Sequence, residues 1–349
     1  MANDSIMLNK SRDNGDDEFY TLYEDIAAEL PNYKEYLKGK RIICPCDWDE
    51  SLDEALVYAS EEYVAGNNLF APGGSIKIID YDKTDDKIMA DIRAVNCNFI
   101  KFLLSHAEEY GIESIAVSGY NPATGEGVEF SDIDYSNYDL VITNPPFSKF
   151  REFIDVMYAN DMEFLVIGPQ NAIKYSNVFP HIKDNEMWLG YHYHLAGFTK
   201  PDGTVIPRQH NLARSCCWFT NLPVSYRNDE MILTEEYDPE KYPRYVNFDA
   251  IDVSKTRDIP YDYDGLMGVP ITFMQKYCPD QFEIVGSSLQ MAKPIKECAE
   301  PGTYSSGGPA FYTDRITDAD KKKGYKYHRG FDRIVVRNKK AVKRDDTEE

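Results

Sequence analysis

The stretch SNYDLVITNPPFSKF, residues 136–150, decides how the rest of the chain is read. A run of apolar and β-branched residues leads straight into Asn144, Pro145, Pro146 and Phe147. The run predicts a buried strand. Two prolines fix φ and offer no N–H to a ladder, so the strand must stop there. Ser148 is placed to cap a helix over SKFREFIDVMYAND, residues 148–161. The unit is therefore strand, rigid loop, helix, with an amide and an aromatic ring at the carboxyl end of the strand.

Outward from that unit the same alternation recurs. Residues 1–17 read as a disordered, acidic arm. Residues 18–40 carry helical periodicity, broken near Pro31 and closed by Gly39. RIICPCDWDES (41–51) reads as a strand followed by a loop, and SLDEALVYASEEY (51–63) as a helix. NLFAPGGSIKIIDYD (68–82) suggests a hairpin within an insertion near 66–91. Residues 88–111 form the clearest amphipathic helix, stopping at Gly111, and ESIAVSGYNPATGEG (113–127) a strand with a glycine-rich turn. EFLVIGPQ (163–170) is another apolar strand. Strands alternating with helices predict an α/β fold: a Rossmann-like, mostly parallel sheet with helices on both faces.

Ligands of such sheets bind beyond the carboxyl ends of the strands. That brings Cys44–Asp47, Ser118–Asn121 and Asn144–Phe147 to one crevice. After about residue 175 the pattern changes. Residues 187–207 and 213–222 read as β-ribbons, with a turn at Asp202-Gly203, and residues 243–273 as ordered but irregular. The expected organisation is an arm (1–17), a core (18–180), and a region (181–349) holding the remaining core strands and a β-rich recognition lobe.

No apolar run reaches the roughly 20 residues of a bilayer-crossing helix. The acidic N-terminus lacks the basic and apolar regions of a signal peptide, so a cytoplasmic protein is expected. Seven cysteines, an odd number, read as reduced thiols rather than a disulfide framework. The net charge of −21 repels polyanions at long range, so a nucleic-acid partner would need a local basic surface. KKKGYKYHRGFDRIVVRNKKAVKR (321–344) is the one segment where Lys and Arg dominate. It reads as a phosphate-contacting patch or as a solvated hairpin.

An Asn-Pro-Pro-Phe loop at a strand end is either a rigid turn or a device for a conjugated amine. The exocyclic amine of adenine is a poor nucleophile because its lone pair is delocalised into the ring. Two acceptors aimed at its two N–H groups favour a more tetrahedral nitrogen. The Asn144 side-chain oxygen and the Pro145 carbonyl fit those roles, with Pro145 and Pro146 fixing the direction. Phe147 would stack on the base.

The sequence resembles the adenine-specific DNA methyltransferases of the EcoRI methylase family. The likeness runs over residues 17–49, 138–191, 217–222 and 237–286, and so covers most of the chain between about 18 and 286. It implies a catalytic motif at Asn144, Pro145, Pro146 and Phe147, S-adenosylmethionine as methyl donor, and double-stranded DNA with a flipped adenine as substrate. The first strand ends on CPCDWDES with no glycine, as this family tends to have. The cofactor residues carried over are Asp47 for the methionine amino group, Pro45 and Cys46 for the loop, Tyr120 as a wall of the adenosine, and Glu129 or Asp132 for the adenine amine. Each acid also reads as a solvated loop carboxylate. The setting is restriction–modification, an orphan methylase or a mobile element, with the protein a monomer or weak dimer. Methylation of an RNA amine or a protein glutamine stays open, as does a non-catalytic acidic DNA mimic.

Several other residues invite a reading. His192 and His194 in YHYH would share one face of a strand, as metal ligands or, with no third ligand evident, as part of a surface β-ribbon. Arg208, His210 and Arg214 lie in a polar loop that could meet phosphate or base. Lys149 and Arg151 open a helix beside the tetrad, facing DNA or solvent. The tyrosines of 242–263 could stack on bases or pack internally.

Overall fold

The computed structural model describes residues 19–47, 55–67, 97–121, 125–200 and 203–342. The arm 1–17, the hairpin read at 68–82 and the start of the helix read from residue 88 lie outside them. The chain divides into two compact units, residues 1–178 with 187–223, and residues 179–186 with 224–349.

The first unit is built on seven strands: β1 (Arg41–Cys44), β2 (Ala55–Ala59), β3 (Ser114–Val117), β4 (Leu140–Thr143), β5 (Glu163–Pro169), β6 (Trp188–Leu189) and β7 (Cys216–Thr220). Their order across the sheet is β2-β3-β1-β4-β5-β7-β6. The four central strands β3, β1, β4 and β5 are parallel; β2, β7 and β6 pair antiparallel with their neighbours. β3 and β4 are buried at every position. This is why they read as unbroken apolar runs rather than as alternation.

Helix α1 (Tyr23–Glu29) precedes the sheet, α2 (Asn98–Tyr110) feeds β3, and α3 (Phe150–Ala159) joins β4 to β5. Helix α2 ends as expected. Gly111 takes the left-handed conformation at φ 62°, and the Ile112 N–H closes on the Ala107 carbonyl at 2.9 Å. A small ribbon pairs Tyr20–Thr21 with Gly197–Thr199, and the latter with Val205–Pro207.

Three local expectations are corrected. Residues 51–63 are not one helix: Ala55–Ala59 is β2, and a helix follows at Glu61–Asn67. The periodicity of ALVYA suits either element, and antiparallel pairing with β3, distant in sequence, decides for the strand. Ser148 is not a helix cap. It sits inside a 3-10 turn, Phe147–Lys149, and α3 starts after Lys149 with no side-chain cap. Residues 213–222 do not form a separate ribbon, because β7 enters the main sheet between β5 and β6.

The second unit holds a four-stranded sheet: β8 (Ile251–Asp252), β9 (Leu266–Pro270), β10 (Phe282–Ser287) and β11 (Arg333–Asn338), in the order β8-β9-β11-β10. Strand β11 falls within the basic C-terminal segment. Its Ile334, Val335 and Val336 are fully buried, so part of that segment is core rather than surface. Much of 243–273 is irregular but pinned. Tyr242 donates to the Asp258 carbonyl at 2.7 Å, and Tyr245 donates to Asp252 at 2.6 Å while stacking on Phe311. These tyrosines pack internally. Among the described residues no helix is long and apolar enough to cross a membrane.

Candidate active site

Parallel pairing sets the carboxyl ends of β3, β1 and β4 side by side. Beyond β4 the chain turns at Asn144, Pro145 and Pro146. The Pro146 carbonyl accepts from the Lys149 N–H at 2.9 Å and so starts the 3-10 turn. Helix α3 is then drawn tightly onto β5. Gly168 lies so close to the Phe150 ring that a Cβ there would meet it at 2.3 Å. The loop is thus clamped between a strand end and a helix whose first residue is fully buried.

Within this loop two acceptors stand unpaired. The Asn144 amide donates from Nδ2 to the Phe19 carbonyl at 2.6 Å. A carbonyl can only accept, so the amide must present its nitrogen there and its oxygen on the other side. That oxygen, Oδ1, is buried with no hydrogen-bond partner. The next carbonyl, that of Pro145, accepts no hydrogen bond among the described residues. Buried acceptors are nearly always satisfied. Asn144 Oδ1 is thus a buried acceptor without a partner, and the carbonyl of the next residue receives no donor among the described residues.

Phe147 is 6% exposed. Its ring lies nearly parallel to that of Phe19, with centroids 6.1 Å apart, and edge-on to Phe198 at 6.0 Å. Phe147 is thus buried with two aromatic neighbours.

The loop after β1 meets the same corner. Pro45 is buried, and Cys46 and Asp47 are half-buried. Asp47 accepts from the Thr143 hydroxyl at 2.6 Å and from the Cys97 thiol at 3.1 Å. Burial pushes its pKa up to about 6 against the pull of those two donors, and no cation among the described residues offsets it. Burial likewise holds the thiols of Cys44, Cys46 and Cys97 protonated, well above the usual range. Asp47 is therefore a carboxylate among neutral groups, lacking a counter-charge. The Ser118 N–H donates to the Cys44 carbonyl at 3.1 Å and fastens the β3 loop to the β1 loop. Past it, Tyr120 is 42% exposed on a two-residue strand paired with Glu126–Gly127.

The remaining predicted acids divide. Glu129 is half-buried and forms an ion pair with Lys149, whose ammonium also lies 5.9 Å from the Phe130 ring centre. Asp132 is exposed on the turn Phe130–Asp132. Arg151 lies over the Tyr175 ring at 4.1 Å. Sequence reasoning missed Phe19, Cys97 and Thr143. Of these only Thr143 carried a signal, as the one hydroxyl closing an apolar run.

His192 and His194 are not on a strand. His192 donates its backbone N–H to Glu29 and holds the same carboxylate through Nδ1, each at 2.8 Å. Glu29, fully buried, also accepts from the Tyr191 N–H and the Tyr33 hydroxyl. Burial and the nearby Arg208 and Arg214 charges lower the His194 pKa. His210 caps a short helix by accepting from the Leu212 N–H at 3.2 Å. Among the described residues no group of three or more His, Cys, Asp or Glu side chains could hold a metal ion.

In the second unit the basic residues of 321–344 are unequal. Arg333 is buried against Asp252 at 2.9 Å. Lys321, Arg337 and Lys340 pair with Asp318, Glu283 and Glu230. The ammonium groups of Lys322, Lys323 and Lys326 are exposed and have no carboxylate partner among the described residues.

Comparison with known proteins places these features in context. Residues 7–62 and 124–339 match the family described as adenine-specific methyltransferase EcoRI. The type II methyltransferase M.EcoRI of Escherichia coli is 36% identical over 296 residues, which span 80% of this chain and 88% of that one. The type II methyltransferases M.MpnI of Mycoplasma pneumoniae and M.MgeORF184P of Mycoplasma genitalium are 27% and 28% identical, each over 80% of this chain and 84% and 85% of theirs.

Proposed function

The chain belongs to the EcoRI family of adenine-specific methyltransferases, and from that premise we propose that it methylates the exocyclic amine of an adenine swung out of double-stranded DNA, with S-adenosylmethionine as donor. The observation that carries the reading is the pair of unsatisfied acceptors, Asn144 Oδ1 and the Pro145 carbonyl. Adenine offers two N–H groups on one nitrogen, and each acceptor takes one. Both bonds strengthen as the nitrogen becomes tetrahedral and its N–H groups more positive, so the pair acts on the transition state more than on the bound base. The prolines hold the carbonyl in place before substrate arrives, and Phe147 is the stacking surface once uncovered. No side chain need act as a strong base.

When bound, S-adenosylmethionine supplies an electrophilic methyl group on a sulfonium. The residues present fit it. Asp47, short of a counter-charge, would take the ammonium of its methionine end. Pro45 and Cys46 would shape that loop, and the exposed Tyr120 would face the adenosine. Glu129 and Asp132 stand on the segment leading to β4; Glu129 would have to share its carboxylate with Lys149. A central block of parallel strands, with the loops of Asp47 and Asn144 at their carboxyl ends, is what supports a Rossmann-like reading. In the second unit, Lys322, Lys323 and Lys326 are the cations proposed to meet phosphate, an attraction that acts locally despite a net charge of −21.

The test is methyl transfer from labelled donor to DNA, RNA and protein, with Asn144→Ala alongside, followed by modification mapping of DNA from cells expressing each. Label in DNA at adenine, lost in the variant by about 10²–10³-fold with donor affinity kept, is the expected result. Label in RNA or protein redirects the substrate. Donor binding with no turnover on any adenine-containing duplex would make the chain a binding protein.

A further inference from the structure

We infer that Phe19 is a positioning residue of the methyl-transfer site: its carbonyl holds the Asn144 amide in the one orientation that turns Oδ1 toward the substrate amine. The inference rests on the reading of Asn144 proposed above. An amide side chain has two nearly isosteric orientations, related by a half-turn. In one, Oδ1 meets the adenine N–H; in the other, an NH₂ meets an NH₂, and two donors face each other. Little in the covalent structure prefers either orientation. What separates them here is the 2.6 Å hydrogen bond from Nδ2 to Phe19, which the flipped amide would replace with two opposed oxygens.

Residue 19 is also held where it can do this. Its ring packs against Phe147 at 6.1 Å and Phe198 at 5.9 Å. The next two residues pair with the ribbon, Tyr20 with Thr199 and Thr21 with Phe198. Phe198 thus serves both the ring contact and the strand pairing, which ties the carbonyl's position to the tetrad's own aromatic. Any residue supplies a carbonyl. A large ring is what fixes this one, and its sequence position, 125 residues before Asn144, explains why no local pattern announces it.

The experiment compares Phe19→Gly, Phe19→Ala and Phe19→Tyr with wild type and Asn144→Ala in the full-length chain. Substrate is a duplex carrying the recognition sequence found by modification mapping. The rate of methyl transfer is read at saturating DNA and donor, KM for each is read separately, and ¹⁵N side-chain amide spectra follow the Asn144 NH₂ pair. Phe19→Gly and Phe19→Ala are expected to lower kcat about 10- to 100-fold, leaving both KM values within about threefold. The Asn144 amide signals should shift and exchange faster, and Phe19→Tyr should restore both readouts. A structural role alone would lower the amount of folded enzyme without moving the amide signals.

A wild-type kcat in Phe19→Gly, or a loss confined to KM, overturns the inference. So does a rate above wild type, which would make Phe19 a plug over Phe147. If Asn144→Ala keeps full activity, the reading of the tetrad fails. If it is inactive while Phe19→Gly is normal, only the role of Phe19 fails.

Discussion

The hydroxyl of Thr143 donates to Asp47 at 2.6 Å, joining the last residue of β4 to the loop proposed to hold the methyl donor. The two proposed sites thus share one hydrogen bond. Thr143→Val keeps the shape and removes the donor. Asp47 then keeps only the weak Cys97 thiol, and its anionic form is less favoured. A hydrogen bond to a charged group is worth about 1.5–3 kcal/mol. Calorimetric titration at pH 7.5 should show S-adenosylmethionine binding weakened at least tenfold. Unchanged affinity would separate Asp47 from the donor site.

Asp47 also sets a pH dependence. Its folded-state pKa, about 6, lies above the ordinary 3.8 because burial outweighs its two donors. The folded protein therefore binds this proton more tightly than the unfolded chain. The ionised carboxylate costs stability above pH 6, and the cost fades as pH falls from about 6 to 4. Asp25, raised to about 6 for the same reason, adds to the trend. Donor binding runs the other way, since an ammonium needs the anion. Asp47→Asn should raise the melting temperature at pH 7.5 by a few degrees while abolishing donor binding, and wild-type donor affinity should fall as pH drops through 6. A variant both less stable and still able to bind would contradict this assignment.

The strand and loop at Leu140–Phe147 were legible because their parts are adjacent in sequence. A buried parallel strand is a continuous apolar run, and two prolines and an aromatic cannot be mistaken for more strand. The helix at Gly111 was legible for a similar reason: its stop is a single residue needing positive φ. What failed depends on partners far away. ALVYA becomes β2 only because β3 offers it an edge. YHYH read as a metal pair or part of a β-ribbon because the buried carboxylate that explains His192 lies 163 residues earlier. Glu29, on an amphipathic helix, gave no sign that it points inward. The segment holding Arg333 read as a phosphate patch or a solvated hairpin, because nothing local shows that β11 lies inside a sheet with Asp252 beside that arginine.

Glu29 itself makes the sharpest stability prediction. Its carboxylate accepts from Tyr33, the Tyr191 N–H and twice from His192. Gln at this position turns one acceptor into an NH₂ facing donors. Glu29→Gln should cost roughly 2–4 kcal/mol in urea unfolding. The bond to Glu29 raises the His192 pKa, so it contributes stability that is full below the unfolded value of 6.5 and is lost as pH rises through the folded one. The variant's stability should therefore change less than the wild type's from pH 6 upward. Equal slopes would show that His192 does not titrate against Glu29.

The division among the basic residues of 321–344 yields the last prediction. Lys322, Lys323 and Lys326 are exposed without carboxylate partners among the described residues, whereas Lys321, Arg337 and Lys340 are paired and Arg333 is buried. A lysine already facing an acid has little charge left for phosphate. Replacing Lys322, Lys323 and Lys326 with Ala should weaken DNA binding and reduce the slope of log K against log salt by up to about 0.9 for each phosphate no longer neutralised. Lys321→Ala with Lys340→Ala should change that slope little, since an ammonium engaged by its own acid is not the one that neutralises a phosphate. Arg333→Ala should act on folding, stranding Asp252 and lowering the unfolding midpoint before any effect on binding can be read. Filter binding across a salt series, with circular dichroism of each variant, distinguishes these outcomes. An unchanged slope in the triple variant would move the phosphate-binding surface elsewhere on the protein.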